Sequence, residues 1–267
     1  MTSRIAHGAA QVPVAPTEEA ILRELRQFTP ARIALGRAGS GVPTRSLLEF
    51  GVAHAQARDA VYEPARQAEL VATLESEGLS ALRVRSAAPD RAGYLQRPDL
   101  GRRLQESDRA ALETFARAHG AAAPHLVLVL ADGLSPAARA RHGLPLLRIL
   151  RRELAGGPSP LVVVADFARV ALGDEIGELL GAGQLAMLIG ERPGLTAPDS
   201  LGIYLTHAPC VGRTDAQRNC ISNIRPEGLD YESAARLFLL LSQGAMRLGA
   251  SGVQLKIAQT ALPALNR

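Results

Sequence analysis

The residues of this chain that could do chemistry gather in three stretches. In LAMLIGERPGL, residues 185–195, an apolar run reaches Gly190 and is followed at once by Glu191 and Arg192. The run Leu185–Ile189 suits a strand covered on both faces. A carboxylate and a guanidinium just past its carboxyl end would lie where open α/β sheets bind ligands, and Arg192 could hold Glu191 ionised and oriented. A surface turn with two solvated charges, stopped by Pro193-Gly194, accounts for the same residues. In PLVVVADFARV, residues 160–170, a second apolar run leads to Arg169 and Val170. The third stretch, RTDAQRNCISNIRP, residues 213–226, holds Cys220. Its flanking arginines would favour a thiolate. Its immediate neighbours Asn219, Ile221 and Ser222 supply no base for a nucleophile, and a small buried side chain is the commonest role of a free cysteine.

Other constellations are incomplete. The strand expected over residues 125–131 ends in Ala131-Asp132-Gly133, without the G-x-G-x-x-G loop a dinucleotide requires. GRAGSG, residues 36–41, lacks the Gly-Lys-Ser/Thr ending of a phosphate-binding loop. Cys210 and Cys220 are too far apart for a zinc-binding pair, and His207 does not complete one. The three stretches form a site only if the fold brings RNCISNI to the strand ends that precede the other two.

The elements that must do so are legible as alternating patterns. HLVLVLA (125–131), LVVV within 160–165, LAMLI (185–189) and GIYLT (202–206) read as strands. Between and after them lie amphipathic helices. Ser107 and Asp108 cap one with Leu112 and Phe115 on its apolar face. Ser135 and Pro136 open another towards Leu154. Asp174 and Glu175 begin a short one to Leu180, and a long one runs from Tyr231 to about Leu248. This alternation predicts an α/β chain: a Rossmann-like C-terminal domain, residues 105–267, built on a parallel sheet. A flexible arm, residues 1–16, and a mainly helical docking and assembly region, residues 17–104, precede it. In that region Thr17 opens a helix with Ile21, Leu22 and Leu25 on one face. Thr44 caps a second helix with Leu47, Leu48 and Val52 inward. Gln67–Glu77 is helical and Leu82–Val84 a short strand. Arg91–Arg103 reads as an irregular stretch whose arginines suit solvent or an acidic partner.

Composition narrows the field. With 267 residues, 47% of them hydrophobic, the chain can bury a sizeable core. A formal charge of +4 is mildly basic, but there is no Trp and only 3% aromatic residues. Stacking platforms are therefore scarce, and no nucleic-acid partner is expected. No segment has the length and polarity of a membrane span. MTSRIAHGAAQVPVAP does not read as a secretory signal, and two cysteines fit a reducing cytoplasm.

Taken together in order, RIALGRAGSGVPTRSLLEFGVAHAQARDAV, YLQRPDLGRRL, ADGLS, GDEIGELL, LIGERPGL and RNCISNIRPEG resemble the small subunit of ethanolamine ammonia-lyase, over residues 31 to about 253. The pairing of LIGERPGL with RNCISNI is the most specific part. The resemblance implies an adenosylcobalamin-dependent lyase that converts ethanolamine to acetaldehyde and ammonia. It implies a TIM-barrel large subunit as partner and a hexamer of heterodimers, in the cytoplasm or within a bacterial microcompartment. It implies cofactor contacts at Val170, Glu191 and Cys220, with Arg169 and Arg192 as flanking candidates, no metal ligand and no catalytic residue in this chain. No Asp-x-His-x-x-Gly motif occurs here, so the cofactor's own benzimidazole is expected to stay on cobalt. Two other readings compete: a stand-alone α/β enzyme using Cys220 or Glu191, and a basic binding protein suggested by a pI near 9.6. The first lacks a complete catalytic constellation and the second a recognisable nucleic-acid module.

Overall fold

The computed structural model describes residues 17–29, 31–119 and 124–255, so the arm expected over residues 1–16 lies outside the described residues. The chain divides into two compact units, residues 1–52 and 53–267. Helix α1 (Glu18–Leu25) starts where the Thr17 hydroxyl accepts the Ala20 N–H at 3.3 Å. Helix α2 spans Thr44–Tyr62. Leu47, Leu48 and Val52, expected inward, are 60%, 65% and 59% exposed, and the buried positions of α2 are Ala53 and Ala60. Helical periodicity marks an apolar stripe but does not say which chain covers it.

The second unit continues with α3 (Gln67–Ser76), β1 (Ala81–Arg85), α4 (Arg91–Gln96), α5 (Glu106–His119) and β2 (Leu126–Ala131). Next come α6 (Pro136–Ala138), a π-helical turn over Arg139–Gly143, α7 (Leu144–Glu153), β3 (Leu161–Asp166), α8 (Leu172–Leu179) and β4 (Gln184–Gly190). It closes with β5 (Leu201–His207), β6 (Arg218–Ile224) and α9 (Tyr231–Leu248). The Arg91–Arg103 stretch is thus not irregular throughout. Asp90 accepts the Gly93 N–H at 2.7 Å and caps α4, and a 3-10 turn follows at Leu100–Arg102.

These strands form one six-stranded sheet in the order β1-β3-β2-β4-β5-β6. Four strands are parallel, but β5 runs antiparallel to β4 and β6 antiparallel to β5, so the sheet is mixed rather than parallel throughout. The links 191–200 and 208–217 carry no crossover helix, and without one a strand can only return beside its predecessor. RNCISNI, expected as a loop, is β6, an edge strand.

Every residue of β2 is buried, because helices cover both faces of the sheet there. Leu126, Leu128 and Leu130 join one core with residues of α3, α7 and α9. Val127 and Val129 join the other, with Leu112 of α5 and Leu172 and Ile176 of α8. In β5 and β6, Leu201, Ile203, Leu205, Ile221 and Ile224 all belong to the α9-side core. Gly202, Tyr204 and Cys220 therefore lie on the opposite face, where Tyr204 is half-buried and Cys220 exposed. Between Leu201 and Ile203 the register shifts, with Ser222 and Asn223 as the unmatched stretch of β6 and Asn223 at φ 57°. Such a bulge re-aims a strand, and here it lets Ile221 and Ile224 both point inward. Among the described residues no helix is long and apolar enough to cross a membrane.

Candidate functional site

The order of strands puts the reversal of the sheet at β2, with β3 on one side and β4 on the other. In open α/β sheets the crevice beyond such a strand is the usual ligand site. Here the backbone fills it. The Leu134 N–H donates to the Gly190 carbonyl at 3.0 Å. A Cβ on Gly133, which sits at φ 57°, would overlap that carbonyl, and one on Gly190 would overlap the carbonyls of Asp132 and Ser135. The open surface is displaced to the β4–β5–β6 side.

Asp132 anchors the loops around it. It is fully buried, and its Oδ1 accepts the N–H of Gly133 at 2.8 Å and of Ala168 at 3.0 Å. The second bond holds the turn after β3, in which Phe167 has φ 55° and Arg169 and Val170 follow. Burial pushes the Asp132 carboxyl up, against the opposing pull of Arg139 and of the Ala168 N–H. Arg91, 3.6 Å from Asp132, donates to the carbonyls of Val61, Gly133 and Leu134 at 2.8, 2.7 and 3.0 Å. The guanidinium groups of Arg91 and Arg169 both pack on the Tyr94 ring, 4.8 and 4.3 Å from its centroid, and its hydroxyl donates to the Ala168 carbonyl at 3.0 Å. Sequence reasoning missed this cluster. A tyrosine amid arginines in Arg91–Arg103 was the available signal, because a buried Tyr needs both an apolar bed and a partner for its hydroxyl.

These loops bring Arg169, Val170, Glu191 and Arg192 together, while Cys220 is not among the residues that line the cavity. Tyr94, Leu134, Arg169, Val170, Ile189, Gly190, Glu191, Arg192 and Tyr204 line one cavity of about 400 Å³. Glu191 Oε2 accepts the Asn223 N–H at 3.1 Å, which ties β4 to the bulge of β6. Among the described residues Arg192 makes no ion pair with Glu191, so that carboxylate is oriented by the Asn223 amide rather than by the neighbouring arginine. Gly202 sits under it: a Cβ there would come within 3.0 Å of Glu191 Oε1. Tyr204, which sequence reasoning left unremarked inside GIYLT, faces Cys220 directly across the β5–β6 pair. Tyrosine alternating with the inward Ile203 and Leu205 was the signal for an outward polar handle.

The surroundings of Cys220 disfavour the thiolate. Burial of its sulfur pushes the thiol up and the nearby Glu191 charge adds to this, while the Tyr204 hydrogen bond pulls the other way. The arginines of RTDAQRNCISNIRP are engaged elsewhere: Arg218 pairs with Asp174 at 2.6 Å and Arg213 donates to the Ala208 carbonyl at 2.8 Å. Burial and the Glu191 charge thus outweigh the Tyr204 hydrogen bond and the sequence-adjacent charges. Alkylation of Cys220 by iodoacetamide should accordingly be slower at neutral pH than that of a free thiol, with its rate inflecting above the ordinary cysteine value. An inflection below that value would restore the nucleophile reading.

The cavity can hold a ligand but offers no complete acid–base or nucleophile–base pair. Among the described residues no histidine or lysine lines it. Glu191 Oε1 and the buried Arg169 Nε have no hydrogen-bond partner among the described residues, which leaves one acceptor and one donor for a bound molecule. The fold and site thus define a mixed α/β chain with an open, partly polar cavity beside the β4–β5–β6 side of its sheet. Comparison with known proteins gives that class its family. The family model described as Ethanolamine ammonia-lyase light chain (EutC) matches residues 19–256. The chain is 53% identical to the ethanolamine ammonia-lyase small subunit of Pseudomonas fluorescens (strain Pf0-1) over 236 residues, covering 87% of this chain and 85% of that one. It is 53% identical to the small subunit of Azotobacter vinelandii (strain DJ) over 243 residues, 90% of each. With that of Ralstonia nicotianae the identity is 52% over 237 residues, 88% of this chain and 87% of the relative. The chain belongs to the ethanolamine ammonia-lyase small-subunit family, and a small subunit implies a large one as partner.

Proposed function

We propose that this chain forms one wall of an adenosylcobalamin site whose other wall is the large subunit, in an enzyme that converts ethanolamine to acetaldehyde and ammonia. The observation that supports this most is the meeting of Val170, Glu191 and Tyr204 in one open cavity, with Cys220 paired to Tyr204 across the adjoining strands, in a chain of a two-subunit lyase family. The residues suit a corrinoid, which presents an apolar rim and amide arms. Val170 and Ile189 give apolar contact, Glu191 accepts from an amide, and Arg169 donates to a carbonyl. When bound, adenosylcobalamin supplies the radical chemistry, and this chain binds, orients and excludes water. A TIM-barrel large subunit, a hexamer of heterodimers and packaging in a microcompartment belong to the same proposal.

The N-terminal region is proposed to dock on the large subunit. Its exposed Leu47, Leu48 and Val52 would be covered there, with arginines of 31–103 meeting partner carboxylates. The test is reconstitution. The purified chain with adenosylcobalamin and ethanolamine should release no acetaldehyde, and adding the large subunit should start turnover. Acetaldehyde from the chain alone would overturn the assignment. Leu47→Asp with Leu48→Asp should leave stability within about 0.5 kcal/mol, as exposed substitutions do, while weakening assembly roughly tenfold or more. Unchanged assembly would remove this part of α2 from the interface.

A further inference from the structure

A second, larger groove of about 870 Å³ shares Arg169, Val170 and Tyr204 with the cavity described above. Its charges are unevenly partnered. Asp174 pairs with Arg218 at 2.6 Å, Glu175 with Arg109, and Asp99 with Arg97 at 2.8 Å. Even with Arg218 beside it, burial pushes the Asp174 carboxyl up to about 6. Exposed Asp215 has only a long contact, 3.8 Å, to Arg218. Four arginines lining the groove have no carboxylate within ion-pair distance among the described residues: Arg102, Arg103, Arg169 and Arg213. Among the described residues Arg169 and Arg213 donate to the backbone carbonyls of Tyr94 and Ala208 alone, and the buried Nε of Arg169 has no acceptor. Arg102 and Arg103 are exposed, with no side-chain partner among the described residues. A groove whose acids are mostly matched and whose guanidinium forks are left over is complementary to a phosphate-type oxyanion.

We propose that this groove takes the phosphodiester of the cofactor's nucleotide tail, with Arg102 and Arg103 at its mouth and Arg169 at its junction with the corrin-contacting cavity. The inference rests on the corrinoid reading above. The tail is covalently joined to the corrin, so its phosphodiester must enter space continuous with that cavity, and the groove is continuous with it through Arg169, Val170 and Tyr204. Guanidinium groups would therefore add affinity for the tail without touching the ring.

The test is equilibrium binding to the reconstituted two-subunit complex, followed by corrinoid absorbance. The two ligands are cobalamin and cobinamide, the same corrin without its phosphodiester, ribose and base. Neither Arg102 nor Arg103 holds the fold through its side chain, so Arg102→Ala with Arg103→Ala should keep the thermal midpoint. The double variant should raise the Kd for cobalamin about tenfold and leave that for cobinamide unmoved. No change for cobalamin, or an equal rise for both ligands, overturns the proposal. A wild-type complex that binds neither corrinoid overturns the cofactor reading beneath it. Calorimetric titration with inorganic phosphate tests the other source of the same chemistry. Saturable phosphate binding that the double variant loses, with cobalamin affinity unmoved, would assign the groove to a free anion and likewise overturn the proposal.

Discussion

Replacing Glu191 with alanine is expected to raise the Kd of the reconstituted complex for adenosylcobalamin by roughly ten- to a hundredfold. Turnover at saturating cofactor should hardly change. The carboxylate has two duties in this account. Oε2 holds the Asn223 amide of the β6 bulge, and Oε1 is the acceptor left for a corrinoid amide. Glu191→Ala removes both and frees a backbone N–H. Glu191→Gln keeps the oxygen that Asn223 needs, so it should lose less affinity than alanine. A general base behaves differently: glutamine would be nearly as damaging as alanine, and turnover would fall at every cofactor concentration. Cofactor affinity and turnover, measured separately for both variants, divide the two roles. A collapse of turnover in Glu191→Gln with unchanged affinity would contradict a binding role.

Gly133→Ala is expected to destabilise the chain by about 3 kcal/mol or more, and Gly249→Ala by only about 1 kcal/mol. Both glycines have positive φ, 57° and 71°. They differ in what surrounds them. A Cβ on Gly249, which ends α9, meets nothing within 4 Å, so only the left-handed backbone is penalised. On Gly133 it would strike the Gly190 carbonyl and the Ile189 side chain, in the crevice where the loops after β2 and β4 interlock. For a unit of this size the difference should appear as a fall in thermal midpoint of roughly 6–12 °C for Gly133→Ala against 2–4 °C for Gly249→Ala. Equal falls would mean that the crevice is looser than the backbone packing implies. Because Glu191 follows Gly190 directly, Gly133→Ala should weaken cofactor binding as well.

What the sequence disclosed depended on whether a residue's environment is local. The runs of β2, β3 and β4 were legible because strands buried on both faces carry a continuous apolar signal. β6 was not. Its bulge at Ser222 and Asn223 breaks the period of two, and Arg-Asn-Cys at its start reads as loop. The turn of β5 and β6 into antiparallel pairing followed from short links, which periodicity does not weigh. Leu47, Leu48 and Val52 show a different limit, since an apolar stripe looks the same whether its own chain or another covers it. The stretches that carry Glu191 and Val170 were legible because they follow strand ends, although Val170 itself was singled out only through the family resemblance. Cys220 needed the family resemblance, and the Asp132, Arg91 and Tyr94 cluster depends on contacts between residues far apart in the chain.

The most direct test of the central claim is backbone amide hydrogen exchange on the reconstituted complex, with and without adenosylcobalamin. The account predicts slowed exchange on cofactor addition in the turn 168–171 after β3, in 190–192 after β4, and along 219–223 of β6. Little change should appear at the opposite sheet edge, around β1. Cofactor that binds the complex while all three segments exchange as before would show that this sheet face is not its wall.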